Sequence, residues 1–160
     1  MLKDQRDLLL AFNAHNVRYL VIGGYAYSHY TEPRATKDLD VFIDSSPENA
    51  ALVFQALTQF GAPLAGMSPA DFQDGKSWFQ IGVALSRIDI TQNIDAVDFD
   101  IAWNSSEPGI VGDDIPVRFI SVDDLIRNKL AVARPRDLVD VDDLRAAIAA
   151  NSKPTEPETE

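Results

Sequence analysis

Tyr19-Leu20-Val21-Ile22 is an unbroken apolar run that stops at Gly23-Gly24, and this junction constrains the chain more than any other feature. A short continuous run of this kind is a strand buried on both faces. The paired glycines let the backbone turn sharply and approach a ligand, and the short helix predicted over Tyr25 to Tyr30 presents unpaired amides there. A second strand, predicted over Lys37 to Ile43, carries Asp38 and Asp40 at i and i+2. Side chains on a strand alternate faces, so both carboxylates point one way while Leu39 and Val41 enter a core.

A third carboxylate, Asp89, lies between Ile88 and Ile90 in another short apolar strand. An aspartate pair on a strand is ordinarily a solvated face. Its position after a glycine turn, with a third aspartate in an apolar strand, points instead to ligation. Three carboxylates in one cleft repel each other, and without a cation at least one has a raised pKa. Mg²⁺ or Mn²⁺ suits such a site, because these ions take hard oxygen ligands. Asp38, Asp40 and Asp89 are therefore the candidate metal ligands and catalytic groups.

Gly23-Gly24, Thr36 with Asp38-Leu39-Asp40, and Asp89 resemble the nucleotidyltransferase superfamily related to DNA polymerase beta. The chain looks most like its small bacterial members, the minimal nucleotidyltransferases and the AbiEii-like proteins. The resemblance runs on through Val97-Asp98-Phe99 and Asp124 to Lys129, as far as Arg134 to Asp140. It implies an α+β nucleotidyltransferase fold, a small mixed sheet flanked by helices with further helices at the C-terminus. It also implies a metal-dependent transfer of a nucleoside monophosphate from an NTP, such as ATP, to a hydroxyl acceptor. Small members resemble toxins of toxin–antitoxin or defence systems, which implies an antitoxin or other protein partner. Many members carry Gly-Ser where this chain has Gly23-Gly24, so the phosphate is left to backbone amides alone. The contrasting reading is a non-catalytic module that binds a nucleotide or a partner on the same fold.

Other residues near the turn keep two readings each. Thr36 and Lys37 can contact phosphate, although Lys37 faces away from Asp38 on an ideal strand. Arg34 reaches either the triphosphate or Glu32. Lys129, beside Leu125, Ile126 and Leu130, either contacts nucleotide or snorkels to water. Arg134, Arg136, Asp137 and Asp140 read as a salt-bridged joint between the last two helices. His15 and His29 read as structural, and Trp78 and Trp103 as core or cleft-wall aromatics.

The bulk numbers narrow the partners. A chain of 160 residues suffices for one domain without staples, and its lack of cysteine excludes disulfides and thiolate chemistry. One domain is expected over 1–150, with a disordered acidic tail over 151–160. The net charge of −11 argues against broad nucleic-acid binding. No stretch approaches a membrane span and the N-terminus is charged, so the expected location is the cytoplasm.

The remaining elements follow from periodicity and punctuation. A helix is predicted over Asp4 to Asn13, and another from Ser46-Pro47 to Phe60 that ends at Gly61. Residues 61 to 76 read as an irregular or mobile loop. Strands are predicted over Trp78 to Val83 and Ser86 to Ile90, joined tightly at Ala84-Leu85. A strand pair near Ile115 to Ile120 follows a glycine-rich loop. Helices are expected from Ser121 to Ala133 and from Leu138 to Ala149.

Overall fold

The computed structural model describes residues 1–152. Its centre is a six-stranded mixed sheet in the order β3-β4-β2-β1-β6-β5. The strands are β1 (Tyr19–Ile22), β2 (Leu39–Ile43), β3 (Trp78–Ile81), β4 (Ile88–Thr91), β5 (Glu107–Val111) and β6 (Ile115–Phe119). The helices are α1 (Lys3–Ala14), α2 (Gly23–Tyr30), α3 (Pro47–Phe60), α4 (Phe99–Ser105), α5 (Val122–Val132) and α6 (Pro135–Asn151). Strand β2 runs antiparallel to β1 and parallel to β4, while β1 and β6 are parallel. This is the expected α+β architecture of a mixed sheet flanked by helices.

Register sorts the residues by face. Tyr19 pairs with Ile43 and Val21 with Val41, and the Tyr19 ring meets Phe12 of α1 edge-on. That face is closed by α1, α3 and a 3-10 turn at Pro69–Phe72, whose buried Phe72 packs on Phe54 and Phe79. The opposite face carries Ile22, Asp40 and Asp89 in one row and Phe42 and Thr91 in the next. There Phe99 of α4 meets Phe42 edge-on. Helices α5 and α6 pack on each other and on α2.

Several elements depart from the sequence reading. Helix α2 begins at Gly23 itself, and Asp38 precedes β2 rather than lying within it. The β3–β4 connection spans residues 82–87 instead of the two expected, with Gly82 and Leu85 both at positive φ. Segment 61–76 is irregular but pinned: Gln92 donates to the Asp71 carbonyl and accepts from the Gly75 amide. Strand β5 occupies part of the expected glycine-rich loop, and α4 is an additional helix. Helix α6 starts three residues earlier than predicted, with Pro135 in its first turn, where a missing N–H costs nothing. It also runs through Asn151, and Ser152 caps it. The rest of the expected tail, 153–160, lies outside the described residues. No described helix is long and apolar enough to cross a membrane.

Candidate active site

The strand-to-helix junction is built as the glycines require. Gly23 has φ +64, and a β-carbon there would lie 2.3 Å from Asp40 Oδ2. Glycine thus permits both the left-handed backbone and the close passage of the carboxylate. Ile22 precedes α2 without any side-chain cap, so the first amides of the helix are left for an anion. A β-carbon on Gly24 would stand 2.6 Å from Thr36 Oγ1. Thr36 therefore brings a hydroxyl to the spot that a serine at 24 would occupy, and backbone amides are not alone there.

Asp40 and Asp89 are Cα partners on neighbouring parallel strands. Burial, then the nearby charges of Asp89 and Asp38, push Asp40 up to about 6. Asp38 stands at the entry to β2, where its Oδ1 accepts the Arg87 amide at 3.2 Å. Two of the aspartates thus stand side by side in register, and the third lies near enough for its charge to act on Asp40. Among the described residues, no three carboxylates or imidazoles are gathered closely enough to hold an ion as they stand. The donor chemistry nevertheless fits a hard divalent cation: adjacent carboxylates, one of them raised by burial and by its neighbours' charge.

These groups open into a cleft of about 550 Å³. Gly23, Gly24, Thr36 and Lys37 line it with Asp38 and Asp40, and Arg34 and Lys129 line its far wall. Asp89 alone among the expected site residues does not line this cleft; it adjoins Asp40 from β4.

The far wall is an ion-pair network. Lys129 is buried and does not snorkel; its Nζ donates to Asp140 at 2.8 Å and lies 3.6 Å from Asp137. Arg34 pairs with Asp140 rather than Glu32, through both terminal nitrogens at 2.8 and 3.1 Å. Its guanidinium also stacks 3.8 Å from the Tyr27 ring centre. Burial alone would raise Asp140, but Arg34 and Lys129 outweigh it and hold the carboxylate below the usual range. Arg134 pairs with Asp137 at the start of α6. The last two helices are joined by a salt bridge, but through Lys129 of α5 to Asp140 and Asp137 of α6; Arg134 pairs with Asp137 only within the start of α6, and Arg136 takes no part. Arg136 faces the cleft and, like Lys37, has no carboxylate partner among the described residues. Sequence reasoning placed Arg136 in the salt-bridged joint instead, because nothing local distinguishes a cation that turns to the cleft from one that pairs along its helix.

Gln5 was missed. It is buried on α1, and its amide donates to the carbonyls of Lys37 at 2.7 Å and Arg87 at 3.4 Å. Its own oxygen accepts from Tyr25 Oη. One side chain thus ties together the segments that enter β2 and β4. No periodic signal marks such a residue, since a glutamine on a helix ordinarily faces water.

His15 and His29 are structural, as expected: His15 Nδ1 lies 2.9 Å from the Ala11 carbonyl, and His29 stacks on Phe119. Trp103 stacks on Phe99 with Arg18 over its ring. Trp78 departs from its expected place in a core or cleft wall: it is 61% exposed.

The fold is similar to that of two solved proteins. The structure resembles that of the lincosamide antibiotic adenylyltransferase LnuA, solved with lincomycin bound. The TM-score is 0.53 at 14% identity, over 92% of this chain and 98% of that one. It also resembles an antigenic nucleotidyltransferase-like protein from Paracoccidioides brasiliensis. There the TM-score is 0.52 at 15% identity, over 97% of this chain and 78% of that one. The fold is that of the nucleotidyltransferases. No protein-family model matches the sequence, and no curated protein does. At these identities the likeness establishes the nucleotidyltransferase fold and leaves the chemistry to the residues of the cleft.

Proposed function

We propose that the chain is a metal-dependent nucleotidyltransferase that moves a nucleoside monophosphate from an NTP to a hydroxyl acceptor. The observation that carries this reading is the uncapped start of α2 facing Asp40, across a cleft that holds Lys37 and Arg136, cations without a carboxylate partner among the described residues. An anion and a hard cation are both accommodated within that space.

The roles follow from position. The Gly23 and Gly24 amides and the Thr36 hydroxyl hold phosphate oxygens, and Lys37 and Arg136 balance the remaining phosphate charge. Asp40 and Asp89, with Asp38, would hold Mg²⁺ or Mn²⁺, which supplies Lewis-acid charge neutralisation when bound. Asp89 accepts the proton of the acceptor hydroxyl. The acceptor oxygen then bonds to the α-phosphorus, the bond from that phosphorus to the bridging oxygen breaks, and pyrophosphate leaves. Arg34 and Lys129 are tied to Asp140, and their part is to shape the far wall.

Calorimetric titration of ATP, GTP, CTP and UTP with Mg²⁺ tests this, alongside Asp38→Ala/Asp40→Ala protein. The expected result is binding that needs the metal and disappears in the double variant. Absence of binding for every nucleotide would overturn the proposal. The incomplete gathering of the three carboxylates favours, as a second reading, a nucleotide-binding module without catalysis. Metal-dependent binding with no pyrophosphate release in any acceptor screen would select it. The family resemblance supports a cytoplasmic toxin or defence setting with a restraining partner. Growth arrest on expression, relieved by Asp40→Ala, is the result that setting requires.

A further inference from the structure

The sheet face that carries the candidate catalytic row is only partly covered. Asp40, Asp89 and Gln80 lie in register across β2, β4 and β3, and Gln80 Nε2 donates to Asp89 Oδ1 at 2.8 Å. In the next row Phe42, Thr91 and Trp78 lie in register. Phe99 of α4 closes that row over Phe42. At its other end Trp78 stays 61% exposed, and Gln80 is exposed as well. The strand's intervening residue, Phe79, turns to the opposite face and packs on Phe72. A large indole on this edge strand buries little and stabilises little, so burial does not account for it.

We propose that Trp78 and Gln80 form the acceptor shelf, on which a small hydroxylated ring compound, uncharged or cationic, stacks with a hydroxyl aimed at Asp89. The inference rests on the transferase reading above. Its geometry is set by the pleat: residues two apart on one strand face lie about 7 Å from each other. A ring stacked on Trp78 therefore reaches Asp89 with a hydroxyl across one sugar-sized span, and Gln80 sits between as a hydrogen-bonding group. Indole stacks on aromatic rings and apolar ring faces, and attracts cations. The residues of the shelf, Trp78, Gln80, Thr91 and Asp89, include no Lys or Arg, and the chain carries a net charge of −11. The shelf itself thus offers no fixed cation to an anionic acceptor such as an RNA end.

Trp103→Phe leaves Trp78 as the sole tryptophan, so its emission reports on the shelf directly. The probes are phenyl β-D-glucopyranoside, an uncharged ring compound, and streptamine, a cationic one, with a short RNA bearing a free 3′ hydroxyl as contrast. Each is titrated in the presence of Mg²⁺ and the nucleotide that binds best. At least one ring probe should quench or shift the emission saturably, and the RNA should not. With label transferred from the α-phosphate to that probe, Trp78→Ala should raise its KM about tenfold, the loss expected for one stacking contact. NTP affinity should stay unchanged. An exposed residue tolerates this truncation, and Trp78→Phe should restore most of the loss. Nucleotide binding with no response to either ring probe would overturn the shelf and leave the transferase reading standing. A response to RNA alone, or a dimer in sedimentation that shields Trp78, would overturn it equally. If no nucleotide binds, the transferase reading falls first and the shelf falls with it.

Discussion

Gly23 and Asp40 stand so close that a β-carbon on residue 23 would lie 2.3 Å from Asp40 Oδ2. The left-handed φ of +64 at the same residue adds a second demand for glycine. Gly23→Ala must therefore move either the carboxylate or the helix start. The backbone conformation alone costs about 1–2 kcal/mol for an L side chain. The expected outcome is a loss of that order in unfolding free energy, together with loss of metal-dependent NTP binding, read by urea denaturation and calorimetry. Unaltered binding would show that the junction does not cradle phosphate.

Asp40 gives a pH signature in the metal-free protein. Its folded pKa is about 6 against an ordinary 3.8, so the fold favours the protonated form. Above pH 6 the ionised carboxylate costs roughly 3 kcal/mol of stability, and the cost shrinks as pH falls, vanishing below about pH 4. Asp40→Asn removes the charge and should stabilise the metal-free protein at pH 7.5, with the gain fading through that window. Urea unfolding of both proteins across pH 4 to 8 measures it. A constant difference between them at all pH values would mean that Asp40 is not strained by its neighbours.

The parts legible from the sequence were those where one chemical requirement dominates locally. Tyr19 to Ile22 is apolar at every position, and the paired glycines after it signal a turn. Asp40 and Asp89 each interrupt an apolar strand, which is why their convergence could be anticipated. Strand β5 was hidden because Pro108 and Gly109 read as loop residues. As the sheet's edge strand it tolerates a proline, and Gly109 is needed where a β-carbon would meet the Phe119 ring at 2.6 Å. Helix α4 was too short for a periodic signal; its mark is Asp98, whose side chain accepts the Ile101 amide. The partner of Lys129 was out of reach because Asp140 lies on the next helix, and Arg34 joins the same carboxylate from far upstream. Long-range charge pairing leaves no local trace.

That network makes Asp140 the residue whose loss should cost most on the far wall. Asp140→Ala leaves Arg34 without its bidentate partner and Lys129 with only Asp137, 3.6 Å away. Stranding buried charge in this way costs about 3 kcal/mol. Asp7→Ala, which breaks the exposed i,i+4 pair with Lys3, should leave stability unmoved. Urea unfolding of the two variants separates these cases, and equal small effects would show that the buried network is not stabilising.

Gln5 offers the sharpest test of how α1 supports the site. Its amide is shared by the carbonyls of Lys37 and Arg87, and the Leu39 amide in turn donates to that Arg87 carbonyl at 2.9 Å. Gln5→Ala leaves these buried acceptors short of a donor, at a cost of about 2 kcal/mol. The segments carrying Asp38 and Asp89 then lose their common anchor. The Leu39 amide should exchange with solvent markedly faster, while amides in β6 keep their protection relative to the global unfolding free energy. Gln5→Glu keeps the shape but turns a carboxylate oxygen toward two carbonyls, so it should destabilise at pH 7 and recover as acid protonates it. Native-state hydrogen exchange reads both variants, and uniform acceleration across the sheet would show that Gln5 supports the whole fold rather than the entry to β2 and β4.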